Sequence, residues 1–346
     1  MKRFILLFFL TLIVLAGIGA WLVIGPATAF GDKVYHLEIP TGSRYNDVLE
    51  KIDTGHVVHY PAIFNLIARQ LDYPERVKAG RYSIRSGSSL VSIIRKLRNG
   101  SQDPVNLVIT KLRTKEDFAG LAGRKFEFDS AAFISYLNSN DSLSKYGLDS
   151  NTIMAGIIPN TYTYYWNTTP TKVLEKIMQS RKNFWNTERM ELAAKKKMTP
   201  EQVVTLASIV EEETNKNDEK PAIASVYINR LNSGMRLGAD PTVKFALRDF
   251  SLKRIYNKHL AVESPYNTYR VTGLPPGPIC TPQTVTVDAV LNAPDTRFLY
   301  FVAKPDFSGY HVFAENYKEH LLLARAYQQA LDTFMKKKNQ PEETGN

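Results

Sequence analysis

Residues 199–214 read Thr-Pro-Glu-Gln-Val-Val-Thr-Leu-Ala-Ser-Ile-Val-Glu-Glu-Glu-Thr. Thr199 suits an N-cap, Pro200 suits the first helical position, and Gln202 stands where a capping box needs it. Stepping roughly 100° per residue from there puts Val203, Leu206, Ala207, Ile209 and Val210 on one arc. Glu212 falls with Thr205 and Ser208 on the wet side, and Glu211 lies at the edge. Glu213 lands between Ile209 and Leu206, inside the apolar arc. A carboxyl group there is partly desolvated, so its pKa rises, as a general acid working near neutral pH requires. Three consecutive glutamates also suit a solvated face. The helix dipole disfavours negative charge at a C-terminus, which fits a frayed end or a second push toward the protonated acid. Periodicity alone leaves these readings open.

Around this helix, a chain of 346 residues has room for two folded domains and an anchor. Its single cysteine, Cys280, excludes an internal disulfide framework and any multi-cysteine zinc site. Residues 4–24 are uncharged and apolar, long enough to cross a bilayer, and Lys2 and Arg3 precede them. Ala27-Thr28-Ala29 resembles a signal-peptidase site, but a signal core is typically about 7–15 residues. An uncleaved single-pass anchor over 1–24 is therefore expected, with the N-terminus cytoplasmic and the remainder outside. The net charge of +10 then points to anionic lipid or acidic wall polymer. No basic-aromatic array suits a nucleic acid.

Val34–Ile39, Arg81–Ile84 and 104–110 read as strands. Tyr45–Ile52, Pro61–Leu71 and Ser88–Leu97 read as helices, the last stopped by Asn99-Gly100. Together they predict a small α+β module over 33–110. A helical connector follows over 111–150. A larger mixed α+β domain is expected over 151–336, so the fold class is α+β. Within it, Thr169-Pro170 opens a long helix to about Lys197, and Lys220-Pro221 opens another that ends at Gly234. Phe298–Ala303 and Tyr310–Phe313 read as a hairpin, Tyr317–Lys336 as a last helix, and 337–346 as a disordered tail. His56 and His59 stand at i, i+3 without a third ligand nearby, so neither a metal nor another cofactor is expected.

Four further segments carry candidate chemistry. Asn229-Arg230 either caps carbonyls or binds sugar hydroxyls or a peptide carboxylate. Asp240-Pro241-Thr242 reads as an N-cap followed by proline, whose amides could also hold an anion. Pro265-Tyr266-Asn267-Thr268-Tyr269 combines aromatic faces with an amide and a hydroxyl, which suits a glycan or a buried strand. Gly273-Leu274-Pro275-Pro276-Gly277-Pro278 is a rigid loop.

In this order, Leu206–Thr214, Ala224–Leu231, Gly234-Met235-Arg236-Leu237, Asp240–Val243, Ser264–Tyr269 and Gly273–Ile279 closely resemble the YceG-like endolytic murein transglycosylases (the MltG family). So do Tyr300-Phe301-Val302 and His311-Val312-Phe313. Upstream, Lys78-Ala79-Gly80-Arg81-Tyr82 resembles that family's LysM-like subdomain. The resemblance implies a membrane-anchored lytic transglycosylase that cleaves the β-1,4 bond between N-acetylmuramic acid and N-acetylglucosamine in nascent peptidoglycan. It implies 1,6-anhydro ends, action beside peptidoglycan synthases, and Glu213 as the essential acid. Glu211, Asn229, Arg230, Asp240, Thr242, Tyr266, Asn267 and Tyr269 are the expected supporting residues. Asn160 departs from the family's usual aspartate, and Cys280 stands where a small or polar residue is usual. A hydrolytic muramidase and a non-catalytic wall-binding scaffold are the alternatives.

Overall fold

The computed structural model describes residues 2–338. Contacts divide the chain into two units. The first comprises residues 1–107, 122–129 and 163–170; the second comprises 108–121, 130–162 and 171–346. The stretch read as a connector, 111–150, is thus shared between them.

The first unit begins with helix α1 (Lys2–Ile24), uncharged and strongly apolar from Phe4 onward and long enough to cross a membrane. Strand β1 (Val34–Ile39) pairs antiparallel with β2 (Gly80–Arg85), from Val34 opposite Arg85 to Ile39 opposite Gly80. Alternate residues Leu37, Ile39, Tyr82 and Ile84 face inward, the period of a half-buried ribbon. Helices α2 (Tyr45–Thr54), α3 (Pro61–Gln70) and α4 (Leu90–Asn99) cover that face. They bury Val48, Ile52, Phe64, Leu90, Ile93, Ile94 and Leu97 in one apolar core. Ser89 caps α4 by accepting from the Ser92 amide at 3.3 Å, and Gly100 ends it at φ 71°. A side chain at that angle would be strained, so glycine is the natural stop. Strand β3 (Val105–Ile109) pairs with β4 (Asn160–Tyr164).

The second unit is mainly helical. Its helices are α5 (Lys115–Gly123), α6 (Ser130–Asn138), α7 (Asn140–Ser144), α8 (Pro170–Phe184), α9 (Thr187–Lys195), α10 (Pro200–Glu213) and α11 (Lys220–Asn232). After these come α12 (Asp240–Leu247), α13 (Asn257–Leu260), α14 (Thr284–Leu291) and α15 (Tyr317–Lys338). A hairpin of β5 (Tyr300–Ala303) and β6 (His311–Ala314) precedes α15.

Three expectations change. The long helix from Pro170 is two helices, because the Asn186 side chain accepts from the Arg189 amide at 3.0 Å and starts α9 afresh. Helix α15 continues through Lys338, so the tail expected from 337 is helical for its first two residues. The rest of that expectation, 339–346, lies outside the described residues. Helix α10 has no wet side over its middle. Thr205 and Ser208 are buried along with Val203, Val204, Leu206, Ala207, Ile209 and Val210. Their hydroxyls are satisfied within the helix: Thr205 donates to the Glu201 carbonyl and Ser208 to the Thr205 carbonyl, both at 2.7 Å. Ser208 also accepts from the Ile279 amide at 2.9 Å. Helix α10 packs chiefly on α14 and α11, and its apolar residues dominate the core of this unit.

Candidate active site

The expected capping box forms at the start of α10. Thr199 Oγ1 accepts from the Gln202 amide at 3.3 Å, and Gln202 accepts from the Thr199 amide at 2.9 Å. This fixes the rotation of the helix, and so the direction each glutamate takes at its far end.

The three glutamates meet three environments. Glu212 forms ion pairs with Lys111 at 2.5 Å and Arg113 at 3.4 Å. Burial pushes its pKa up, but the two cations outweigh that and hold the carboxyl group below the usual range. Glu211 is the most buried of the three. It accepts from Lys220 Nζ at 2.9 Å, and Thr286 bonds to the same carboxylate oxygen. Lys220 Nζ also donates to Thr286 at 2.7 Å, so this triad is closed on itself. Glu211 was expected to support the reacting sugar; the structure commits it instead to the core.

Glu213 is different. It is half-buried, and its Oε1 accepts one hydrogen bond, from the Tyr227 hydroxyl at 2.6 Å. Burial raises its pKa to about 7; the Tyr227 bond opposes the rise, and the nearby Asp240 charge adds to it. Lys244 and Arg230 act in the lowering direction. The carboxyl group keeps some open surface, yet the protein around it removes most of the hydration that would stabilise its charge. Near neutral pH it can give a proton and take one back.

Glu213 is the last residue of α10, a place where helices fray. The start of α11 prevents that. Thr214 donates to Glu219 at 3.4 Å, and Glu219 accepts from the His311 amide at 2.5 Å and meets His311 Nδ1 at 2.9 Å. Glu219 and Lys220, adjacent and both buried, thus grip Thr214 and Glu211, one after and one two residues before Glu213. Two turns further along α11, Tyr227 holds Glu213 itself.

Asp240 and Tyr269 form a second pair, with the phenol donating to Asp240 Oδ1 at 2.6 Å. Burial and the Asp240 charge both raise the Tyr269 pKa, and burial raises that of Tyr227, so both phenols remain donors. Asp240, expected as the N-cap, is instead the first residue of α12, and Ala239 holds the N-cap position. Arg230 donates to the Leu299 carbonyl at 2.7 Å and the Leu237 carbonyl at 2.5 Å, and lies 5.2 Å from the Tyr300 ring centroid. It contributes positive charge to the site while bracing two loops.

The other expected residues make their contacts within the protein. Asn229 donates to the carbonyls of Thr296 and Phe298 at 3.0 and 2.9 Å. Thr242 donates to the Ala239 carbonyl at 2.7 Å and pairs with Thr268 at 2.8 Å. Asn267, fully buried, donates to the carbonyls of Leu260 and Val262 and accepts from the Tyr269 amide at 3.1 Å. These bonds hold the turn that presents Tyr269. Tyr266 packs on Phe245 at 4.6 Å between ring centroids. Cys280 is buried, and burial pushes its thiol pKa well up, so it stays an inert thiol.

The sequence reading missed Tyr227 as a polar partner and Glu219, Lys220, His311 and Lys244 as parts of the site. One signal was available: a tyrosine on the inner face of α11 must find an acceptor for its hydroxyl. A cleft of about 750 Å³ lies at the opposite end of α10, beside Thr199, Gln202 and the Gly273–Pro276 loop. Volume and acid–base chemistry therefore do not coincide, and the chemistry locates the candidate site.

The endolytic murein transglycosylase of Bacillus subtilis (strain 168) is 27% identical over 326 residues, covering 86% of this chain and 89% of that protein. The endolytic murein transglycosylase of Streptococcus pneumoniae serotype 2 (strain D39) is 25% identical over 329 residues. That match covers 85% of this chain and 58% of the longer relative. A crystal structure of a yceG-like protein from Listeria monocytogenes superposes with a TM-score of 0.55 at 25% identity, covering 85% of this chain and 99% of that one. The model of the YceG-like family matches residues 37–326, and the chain belongs to that family.

Proposed function

We propose that this protein is an endolytic peptidoglycan lytic transglycosylase with Glu213 as its acid and base. The single observation that carries the reading is a half-buried carboxyl group poised near pH 7 and oriented by one phenol. The names of the relatives supply the polymer: murein. In this mechanism Glu213 protonates the oxygen between N-acetylmuramic acid and N-acetylglucosamine as the C1–O bond breaks. The muramic acid C6 hydroxyl then attacks C1 and gives its proton to the Glu213 carboxylate, closing a 1,6-anhydro ring. The nucleophile belongs to the same sugar, so proximity supplies much of the rate and one carboxyl group serves both steps. Tyr227 occupies Oε1, which leaves Oε2 to carry the transferred proton. Asp240, Tyr269 and Arg230 surround the position where oxocarbenium-like charge develops.

Hydrolysis is the competing reading. Asp240 stands within the field of Glu213, and ordinary glycosidases use two carboxyl groups. The bond from Tyr269 favours a charge-stabilising role for Asp240 over that of a base for water.

The apolar α1 makes the protein a single-pass membrane enzyme in this reading, with the N-terminus cytoplasmic and the second unit on the outer side. The first unit serves as a LysM-like wall-binding module. The tether places cleavage beside membrane-bound peptidoglycan synthases, where it terminates growing strands. Incubating purified sacculi with the protein tests the reading against a non-catalytic scaffold. New glycan chain ends are expected; binding without new ends would overturn it.

A further inference from the structure

Only Gly25 and Pro26 stand between the end of α1 and Ala27, a core residue of the first unit. The Ala27 amide donates to the Ser88 carbonyl at 3.0 Å, and the Gly87 amide donates to Thr28 Oγ1 at 2.8 Å. The Ala27 carbonyl accepts from the His59 amide at 2.9 Å. Val23, in the last turn of α1, packs against the same core, and α1 lies on α4. The membrane-length helix is thus fixed to the α+β module without a free linker. From Ile24 to Ala27 the chain reaches at most about 11 Å. A bilayer headgroup layer is roughly 5–8 Å deep on each side of the hydrocarbon core. The turn between β2 and α4, residues 85–88, therefore comes to the level of the headgroups.

That turn borders a cavity of about 490 Å³. Arg85, Ser88 and Ser92 line it together with His36, Lys96 and Asp103. Asp103 accepts from Lys96 Nζ at 2.9 Å and from the Ser83 amide at 2.6 Å, so its charge is already met by the protein. Arg85 is exposed, and among the described residues no carboxylate pairs with it. One open guanidinium beside two hydroxyls suits a phosphate, whose oxygens accept several such bonds. Lys33 is exposed beside this turn, its carbonyl accepting from the Ser86 amide at 3.0 Å; its neighbour Asp32 is the opposing charge. Trp21, at the end of α1, and Tyr60, next to His59, are both exposed, as aromatic residues at a membrane interface are.

We propose that this cavity is a headgroup site for an anionic phospholipid of the bilayer that α1 crosses. Position selects the lipid over a free anion: the end of α1 brings the cavity to a surface dense in phosphodiesters. The inference rests on the reading of α1 as a membrane anchor and is independent of the reaction at Glu213. It adds a second membrane contact, through which lipid composition sets how the first unit lies on the surface.

The test uses the full-length protein in lipid nanodiscs, either of phosphatidylcholine or of an equal mixture with phosphatidylglycerol. Hydrogen exchange of residues 85–92 is expected to slow in the mixed discs, and Arg85→Gln is expected to remove that difference while exchange in β1 and α2 holds. Titrating the protein in detergent with short-chain phosphatidylglycerol should give an affinity about fivefold weaker for Arg85→Gln, the effect of one cation at an anionic surface. Equal exchange in the two discs, or a lipid response unchanged in Arg85→Gln, would overturn the site. Inorganic phosphate added to phosphatidylcholine discs should leave exchange as it was; full protection by phosphate alone would overturn the lipid assignment. Alkaline extraction of membranes carrying the protein tests the anchor separately. Release into the wash contradicts the anchor, whereas retention without a lipid response contradicts the site alone.

Discussion

The two units bury different things. In the first, α4 turns one apolar face inward, and its strongest ion pair, Lys96 with Asp103 at 2.9 Å, stays near the surface. In the second, α10 is buried on all sides over its middle, and Glu211, Glu219 and Lys220 go with it. Among the described residues, every buried polar or charged side chain lies in the second unit. An apolar core stabilises a fold without such groups, since burying charge costs free energy even when it is paired. The second unit accepts that cost around one spot, the end of α10. The lesson is that perturbed acidity and buried ion pairs mark where this chain does chemistry.

The contrast is sharpened most by Glu213→Gln. Removing a general acid should lower strand cleavage by about 10²–10⁴-fold, measured as new chain ends per unit time. The same variant reports on stability. The native pKa of Glu213, about 7, lies above the 4.5 of an unfolded glutamate, so the native state binds the proton more tightly. The associated stability is fully present below about pH 4.5 and lost as pH rises to about 7. Gln is neutral throughout and escapes that loss. Denaturation curves should show Glu213→Gln matching the wild type near pH 4, gaining on it as pH rises to about 7, and holding that lead above.

Next in size, Lys220→Met strands the Glu211 carboxylate in the core and should destabilise the second unit by about 3–5 kcal/mol. A loss below about 1 kcal/mol in chemical denaturation would mean that the pair is not buried as described. Tyr227→Phe removes the bond that favours ionised Glu213, so the pKa of the acid rises further. The pH at which activity falls off should move upward by about one unit; a downward move contradicts the assigned donor. Smallest, Ser89→Ala in the first unit should cost about 1 kcal/mol from the lost cap of α4. It should leave cleavage by the second unit unchanged.

Much of this architecture was legible because its signals are local. The cap of α10 at Thr199, the glycine stop after α4 and the alternation of β1 each depend on residues a few positions apart. The position of Glu213 inside the apolar arc was legible for the same reason. What escaped depends on residues far apart in the chain. Glu211 meets Thr286 across 75 residues, Glu219 meets His311 across 92, and Glu213 meets Tyr227 one helix later. Periodicity could assign Glu211 to an edge, but only the placement of α11 and α14 decides that the edge is a core ion pair. The break between α8 and α9 was missed for a subtler reason: Asn186 competes for backbone bonds within an otherwise helical pattern. Helix α14 is short and apolar, which periodicity alone does not distinguish from a strand.

Mass spectrometry of the termini released from purified glycan strands tests the central claim most directly. If Glu213 returns its proton through the sugar's own C6 hydroxyl, new muramic acid ends lack one water relative to hydrolysed ends, and Glu213→Gln releases none. Free reducing termini from the wild-type protein would contradict the account.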